Sequence, residues 1–501
     1  MRPRLLSPSR DLLPKAELPW GSEDLLRDLE LAALLEEMAG GDAQILASLR
    51  QAVLSSAAEP DLQAASYRQA VLEDARRCPE LITSLYDLAN QVIAAERKTF
   101  HSVFTEYPSA RLHAALEAMD IFVGAFGELR GLADRYLDRL QSEGLCRFLA
   151  SCTQEFSESY LAELKALLAE LAFPAGLFLA AELGTGGYGR YRARKRPRPQ
   201  GNWLQRKLAK SPGLSFSIDE RDEGGANALS ELRDRGIERS ATLLSHYQDQ
   251  VLAFFTALRD ESAFYLGALR WQRLLEESGA PSCTPLLRPV AERALSFTDL
   301  RDAYLLLRLR AGTVPNALAG DGALLVTITG ANQGGKSTFL RSVGLAQLLM
   351  QAGLPVPATS FSASLAQGVF SHFRREEDAE MRRGKFDEEV ARFSQIVDHL
   401  APGSMLLCNE SFAATNEREG SLIALQVVHA LSERRVRVLF VTHLYEFARQ
   451  LWAEHDPGVL FLRAERGAEG QRSYRIRPGE PLSTSFGRDL YERIFAVQGT
   501  G

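Results

Sequence analysis

The sequence predicts a multidomain chain that joins two fold classes, an all-α region first and an α/β domain after it. Three observations carry this reading. The chain has 501 residues, 46% of them apolar, enough for about two to four domains at roughly 100–200 residues each. Up to about residue 275, apolar residues recur at three- and four-residue spacing with few β-branched runs, the pattern of amphipathic helices. Beyond about residue 276, short β-like apolar runs alternate with helical stretches, which indicates a mostly parallel sheet covered on both faces.

Within the helical region the clearest element runs from Glu238 to Ser278, with Leu243, Leu244, Tyr247, Val251, Phe254, Phe255, Leu258, Tyr265 and Leu269 on one broad stripe, interrupted only by Gly267. At 1.5 Å per residue it is about 60 Å long, which suits a lever or strut as well as a core helix of a bundle. A second stretch, Ala110 to about Ser151, is apolar all round at Ile121, Phe122, Val123 and Phe126 and suits a partner for it. Between the two the composition changes. Residues 184–218 hold six arginines and three lysines with no Asp or Glu, and seven Gly and Pro residues between Gly184 and Gly201 disfavour a regular helix.

In the second region "ALLVTIT" (323–329), "SMLLC" (404–408) and "VRVLFVT" (436–442) read as strands, and "GVLFLRAE" with "RSYRIRP" as an antiparallel hairpin. The first strand leads into Gly330-Ala331-Asn332-Gln333-Gly334-Gly335-Lys336-Ser337, and "STFLRSVGLAQLLMQAG" follows as an amphipathic helix. This is GxxxxGK[ST] in its required strand–loop–helix setting, the phosphate-binding loop of P-loop NTPases. Its glycines let backbone N–H groups turn to phosphate oxygens, and the helix N-terminus adds positive potential. Lys336 is the candidate to neutralise β/γ-phosphates, Ser337 the Mg²⁺ ligand, and Thr338 a further contact. Hydrolysis also needs groups that hold the metal and orient water. Asn409 and Glu410 end the second strand, at the edge where α/β sheets bind ligands, so both are candidate metal ligands with Ser337, and Glu410 is also the candidate base. His443 ends the third strand, placed either to polarise a γ-phosphate or simply to support structure.

"TITGANQGGKSTFLRSVG", "NESFAATNEREG" and "VTHLYEFA", in this order and spacing, resemble the ATPase domain of the MutS family of DNA mismatch-repair proteins. Gly353 to Ala358 and Val314-Pro315-Asn316 are similar to further elements of that family. The close resemblance covers roughly residues 300–500; the helical half is similar more loosely, through "YRQAVLEDARRCPELITSLYDLA" and "LRDESAFYLGALRW". The resemblance implies an ABC-type P-loop NTPase domain at 276–501, a helical core at 1–183, a reduced clamp-like basic insert at 184–225 and a lever helix returning at 226–275. It implies ATP and Mg²⁺ as cofactors and Asn316 as an adenine contact. It also implies a homodimer in which Lys385, Thr415 and Glu419 approach the partner's site, and DNA as partner, whether duplex, mismatched or branched. A short bacterial relative without the amino-terminal mismatch reader is expected, since Phe126-Gly127-Glu128 spells that reader's motif but lies in a helical stretch.

Two departures bear on activity. Asn409 stands where the family has aspartate, offering the metal an oxygen without charge, and Lys385 follows Gly384 where the family presents serine. A lysine there is either a cation for a partner's phosphate or a solvated charge beside Asp387 and Glu388. The expected function is therefore an ATP-dependent DNA-binding ATPase, with an ATP-binding switch of negligible turnover as the alternative. A transporter subunit is disfavoured because its LSGGQ element does not occur.

The net charge of −6 taken whole argues against a nucleic-acid coat. With nine cations and no acid in residues 184–218, however, the remainder carries −15 and the basic charge has a location. Arg190, Arg192, Arg194, Lys195, Arg196, Arg198, Trp203, Arg206 and Lys207 are the candidate nucleic-acid contacts, cations interleaved with aromatics, the bland alternative being a loop that meets the chain's own acidic surface. Five scattered cysteines without a CxxC pair fit a reducing compartment. The longest uncharged apolar run, Leu171 to Ala181, is 11 residues, too short to span ~30 Å of hydrocarbon. Cytoplasmic location is expected.

Overall fold

The structure, a computed structural model, describes residues 2–10, 16–99, 107–173, 178–183, 189–194, 223–309, 312–331, 333–375, 384–466 and 472–481. The chain forms two compact units that interleave along the sequence, one of Met1–Pro3, Ser84–Arg139 and Cys146–Arg259, the other of Arg4–Thr83, Leu140–Leu145 and Asp260–Gly501. Helices α1 (Ser22–Asp28), α2 (Leu31–Ala39), α3 (Ala43–Ala58), α4 (Leu62–Arg77), α5 (Pro79–Thr99), α6 (Pro108–Tyr136), α7 (Glu143–Glu155) and α8 (Glu158–Leu171) come first. Asp42 and Asp61 cap α3 and α4 by accepting backbone N–H bonds. No described helix is long and apolar enough to cross a membrane.

The first unit is helical around an aromatic core. Phe126 stacks on Phe156 at 4.3 Å, and Phe255, from the Glu223–Glu277 helix, lies 5.8 Å from Phe126 and 6.1 Å from Phe122. Gln248 donates to Glu96 at 3.0 Å in the buried interior. Four expectations are corrected here. The long helix begins at Glu223 rather than Glu238; its first turns are largely exposed, so no apolar stripe marks them. Leu243 and Tyr247 are exposed rather than part of the buried stripe. The stretch from Ala110 to Ser151 breaks at a 3₁₀ turn, Leu137–Arg139, before α7. The region is also not purely helical: β1 (Phe178–Leu183) and β2 (Gly189–Arg194) pair antiparallel.

Among the described residues the second unit holds two sheets. A six-stranded sheet has the order β12-β11-β6-β10-β9-β8, from β6 (Leu325–Thr329), β8 (Val369–Phe373), β9 (Met405–Asn409), β10 (Arg437–Val441), β11 (Val459–Arg466) and β12 (Arg472–Pro478). All its pairings are parallel except β11 with β12, which form the expected hairpin. Alternation along the strands sorts the side chains onto two faces. Leu406, Cys408, Val438 and Phe440 pack with helices Lys385–His399, Glu417–Glu433 and Tyr445–Glu454 through Phe393, Ile396, Val428 and Phe447. Leu407 faces the other way onto the Lys336–Gln351 helix at Gly344, where an added Cβ would meet it at 2.5 Å.

A smaller sheet, order β3-β7-β4-β5, is one the sequence patterns do not disclose; it comprises β3 (Leu286–Arg288), β4 (Leu295–Leu300), β5 (Asn316–Ala319) and β7 (Ser360–Ser364). Arg437 joins it to the larger sheet, its buried guanidinium donating to the carbonyls of Ala323, Ala294 and Arg293. Helices α1 to α4 belong to this unit and pack within it. Gln351, ending the Lys336–Gln351 helix, donates to the Ser56 carbonyl at 2.7 Å, and buried Arg68 donates to the Gln351 carbonyl at 3.0 Å. Gly267 interrupts no helix: a Cβ there would meet Leu49 at 2.6 Å, so its absence allows close packing.

Candidate functional site

The carboxyl ends of β6, β9 and β10, adjacent in the sheet, bring the candidate chemistry together. After β6 the chain turns through Gly330 (φ +114°), Gln333 (φ +58°) and Gly335 (φ +90°) into the Lys336–Gln351 helix. Gly330 and Gly335 adopt backbone that side chains rarely tolerate, and a Cβ on Gly330 or Gly334 would press on Ala464 of β11. Lys336 is buried, its Nζ donating to the carbonyls of Gly330 at 2.8 Å and Ala331 at 3.0 Å. Burial pulls its pKa down against the opposing charge of Glu410.

Ser337 Oγ donates to Asn409 Oδ1 at 2.9 Å. Two neighbouring ligands of an octahedral Mg²⁺, each ~2.1 Å from the ion, lie about 3.0 Å apart, so the spacing of these oxygens is close to that required by the ion expected here. Glu410 follows Asn409 in left-handed backbone, φ +58°, fixed by its N–H on the Val441 carbonyl at 2.8 Å. His443 Nδ1 lies 3.8 Å from one carboxylate oxygen and Arg374 Nη1 3.9 Å from the other. His443 chiefly, then Lys336 and Arg374, hold the Glu410 carboxyl below its ordinary pKa although burial opposes them. Glu410 is thus a half-buried, ionised carboxylate facing three nitrogen groups, able to accept a proton from water while its neighbours stabilise anionic oxygens.

The remaining candidates divide. Lys385 lines the same cleft of about 1570 Å³ as Ser337, Asn409 and Glu410, within its own chain. Thr415 donates to Glu419 at 2.8 Å. Asn316 accepts the Ile476 N–H at 2.7 Å, which ties it to β12, and Gln333 accepts from Arg472 of the same strand. Thr338 is half-buried on the first turn of the Lys336–Gln351 helix. Arg190, Arg192 and Arg194 occupy alternate positions of β2. Asn332, Lys195, Arg196, Arg198, Trp203, Arg206 and Lys207 lie outside the described residues.

Several residues of the site escape sequence reasoning. Arg374 reaches Glu410 because its backbone N–H bonds the Asn409 carbonyl at 3.0 Å; a sequence marks no partner for an arginine after a strand. His372 is buried beneath the loop, Nδ1 at 2.6 Å from Ser411 Oγ, and burial with nearby Arg392 pushes its pKa down to about 3. Glu389 accepts the Phe412 N–H at 2.6 Å; in "EEVARF" it reads as one more solvated acid.

Residues 60–278 match the family model described as the MutS2 N-terminal domain, and residues 326–478 match that of MutS domain V. The DNA mismatch repair protein MutS of Synechococcus sp. (strain CC9605) is 29% identical over 293 residues, covering 55% of this chain and 32% of that protein. The protein of the same name from Thermus thermophilus is 31% identical over 275 residues, 52% of this chain and 32% of its own. Endonuclease MutS2 of Lachnoclostridium phytofermentans is 32% identical over 164 residues, 32% of this chain and 20% of that one. The chain thus spans about a third or less of the length of these relatives. With one model on the helical half and the other on the half that carries Lys336, Glu410 and His443, the chain is a MutS-related protein.

Proposed function

We propose that the chain binds and hydrolyses ATP at the Lys336, Ser337, Asn409, Glu410 and His443 cluster and couples this to a grip on DNA. The observation that carries the reading is that cluster: a buried loop lysine, paired Ser337 and Asn409 oxygens and an ionised Glu410 on neighbouring strand ends. Backbone N–H groups of Gly330 to Gly335, with the helix N-terminus behind them, cradle the phosphates, and Lys336 neutralises β/γ oxygens. Ser337 and Asn409 would hold Mg²⁺, which would supply positive charge at the transferred phosphoryl. Glu410 orients the attacking water and takes its proton, and His443 faces the γ-phosphate.

The segments divide in this reading into a helical core (1–183), a basic insert (184–225), a lever helix (226–275) and a P-loop ATPase domain of ABC type (276–501). Two chains pair through the ATPase domains, with Lys385, Thr415 and Glu419 near the partner's site. Nucleotide state passes from the Lys336–Gln351 helix to the base of the lever helix, where Trp271 Nε1 donates to the Pro355 carbonyl at 2.9 Å. The basic insert meets DNA phosphates. Gel shifts at low salt on matched, mismatched and branched duplexes, with and without ATP, test the DNA role: nucleotide-dependent retention of at least one duplex is expected, and no retention of any would sink it.

Asn409 favours a second reading, an ATP-binding switch with negligible turnover, because an amide oxygen brings no charge to the metal. Asn409→Asp separates the two. A rate within about threefold of the parent is expected if hydrolysis is already supported, whereas a gain of about tenfold or more, equal to 1.4 kcal/mol or more off the barrier, identifies the switch.

A further inference from the structure

We propose that Glu389 is a positioning residue that locks the Glu410 loop to the helix beginning at Lys385; the role rests on the hydrolysis reading above. The loop after β9 is locally strained. Glu410 and Phe412 both adopt left-handed backbone, φ +58° and +64°, which aromatic and charged residues take only when surrounding structure holds them there. Two helices converge on Phe412. Its N–H donates to Glu389 Oε1 at 2.6 Å, and its buried ring packs 4.9 Å from Phe393 of the same helix. Its carbonyl lies so near Gly420 that a side chain there would strike it. Ser411, between the two strained residues, donates to the His372 carbonyl at 3.0 Å.

The Glu389 bond and the Phe393 contact both tie the loop to a helix that itself reaches the nucleotide cleft, and of the two only the bond is directional. Glu389 follows Lys385 by four residues, so the two share a helix face, and both line the cleft with Glu410. A shift of that helix is passed through Glu389 to the backbone N–H groups of Phe412 and Ala414, two and four residues beyond the Glu410 carboxylate. The acceptor must be an oxygen and need not be charged, since its partners, Phe412 and Ala414, are backbone N–H groups.

The test compares the full-length parent, Glu389→Gln and Glu389→Ala by hydrogen–deuterium exchange and by steady-state ATP turnover. In Glu389→Ala, amide exchange across residues 409–416 is expected to rise about tenfold, as for loss of one buried hydrogen bond. Exchange in the Lys336–Gln351 helix should stay unchanged, kcat should fall about tenfold, and KM for ATP should move by less than about twofold. Glu389→Gln keeps the acceptor oxygen and should behave as the parent in every readout. Unchanged exchange at 409–416 in Glu389→Ala, faster exchange throughout the chain, or failure of Glu389→Gln to rescue would each overturn the role. If exchange responds as expected while the parent itself turns over no ATP, the lock stands and the hydrolysis reading falls.

Discussion

The Lys336→Ala protein is expected to bind ATP at least about a hundredfold more weakly than the parent and to lose its turnover. A unit charge about 4 Å from a phosphate oxygen contributes about 4 kcal/mol at an effective dielectric of about 20. Lys336 is buried enough that water does not replace that interaction. The lysine also bridges the Gly330 and Ala331 carbonyls, so truncation disturbs the loop as well as removing charge. Lys336→Met, which keeps an apolar stem of similar length, separates the two effects. Calorimetric titration with ATP should give the same loss for both variants if charge dominates, and a much smaller loss for the Met variant if loop shape does.

Glu410→Gln is expected to lower kcat by two to three orders of magnitude while leaving ATP affinity within a few-fold of the parent. The amide preserves size but cannot accept the proton of the attacking water, and a positioned base contributes about 10²–10⁴-fold. Because His443, Lys336 and Arg374 keep the Glu410 carboxyl below its ordinary pKa, it is ionised throughout the neutral range, and the loss should be equal at pH 6.5 and pH 8. Quench-flow under single-turnover conditions reads the chemical step directly. A loss confined to KM would assign Glu410 to binding rather than to water activation.

How much of this was legible in the sequence follows from where the signals are local. The Gly330–Ser337 loop declares itself because its glycines, lysine and flanking strand and helix are consecutive, and the β11–β12 hairpin because two apolar runs flank a turn. Glu410 and His443 could be placed at strand ends for the same reason. The smaller sheet was hidden since its strands are only three to six residues long and two of them, β3 and β5, show no clean alternation. Long-range partners left no trace at all. Nothing in "YRQAV" announces that Arg68 bonds the Gln351 carbonyl, or that residues 4–83 pack with the carboxyl-terminal half. The same holds for Glu389, whose neighbours Asp387 and Glu388 make it look like one of a run of solvated acids.

The long helix shows both sides. Its apolar stripe marked Phe254, Phe255, Leu258 and Tyr265, all buried, and missed the exposed turns from Glu223 onward because exposed helix carries no hydrophobic period. Gly267, which reads as an interruption, is instead where Leu49 fits against the helix backbone.

The central claim, that the cluster at the strand ends is an ATP hydrolysis site, is tested most directly by Mg²⁺-dependent phosphate release from ATP. The parent chain and Lys336→Ala would be measured side by side, each alone and with matched, mismatched and branched DNA. Measurable release is expected from the parent, disappearing with magnesium chelation and in the variant. Equal release by parent and variant on every substrate would contradict it.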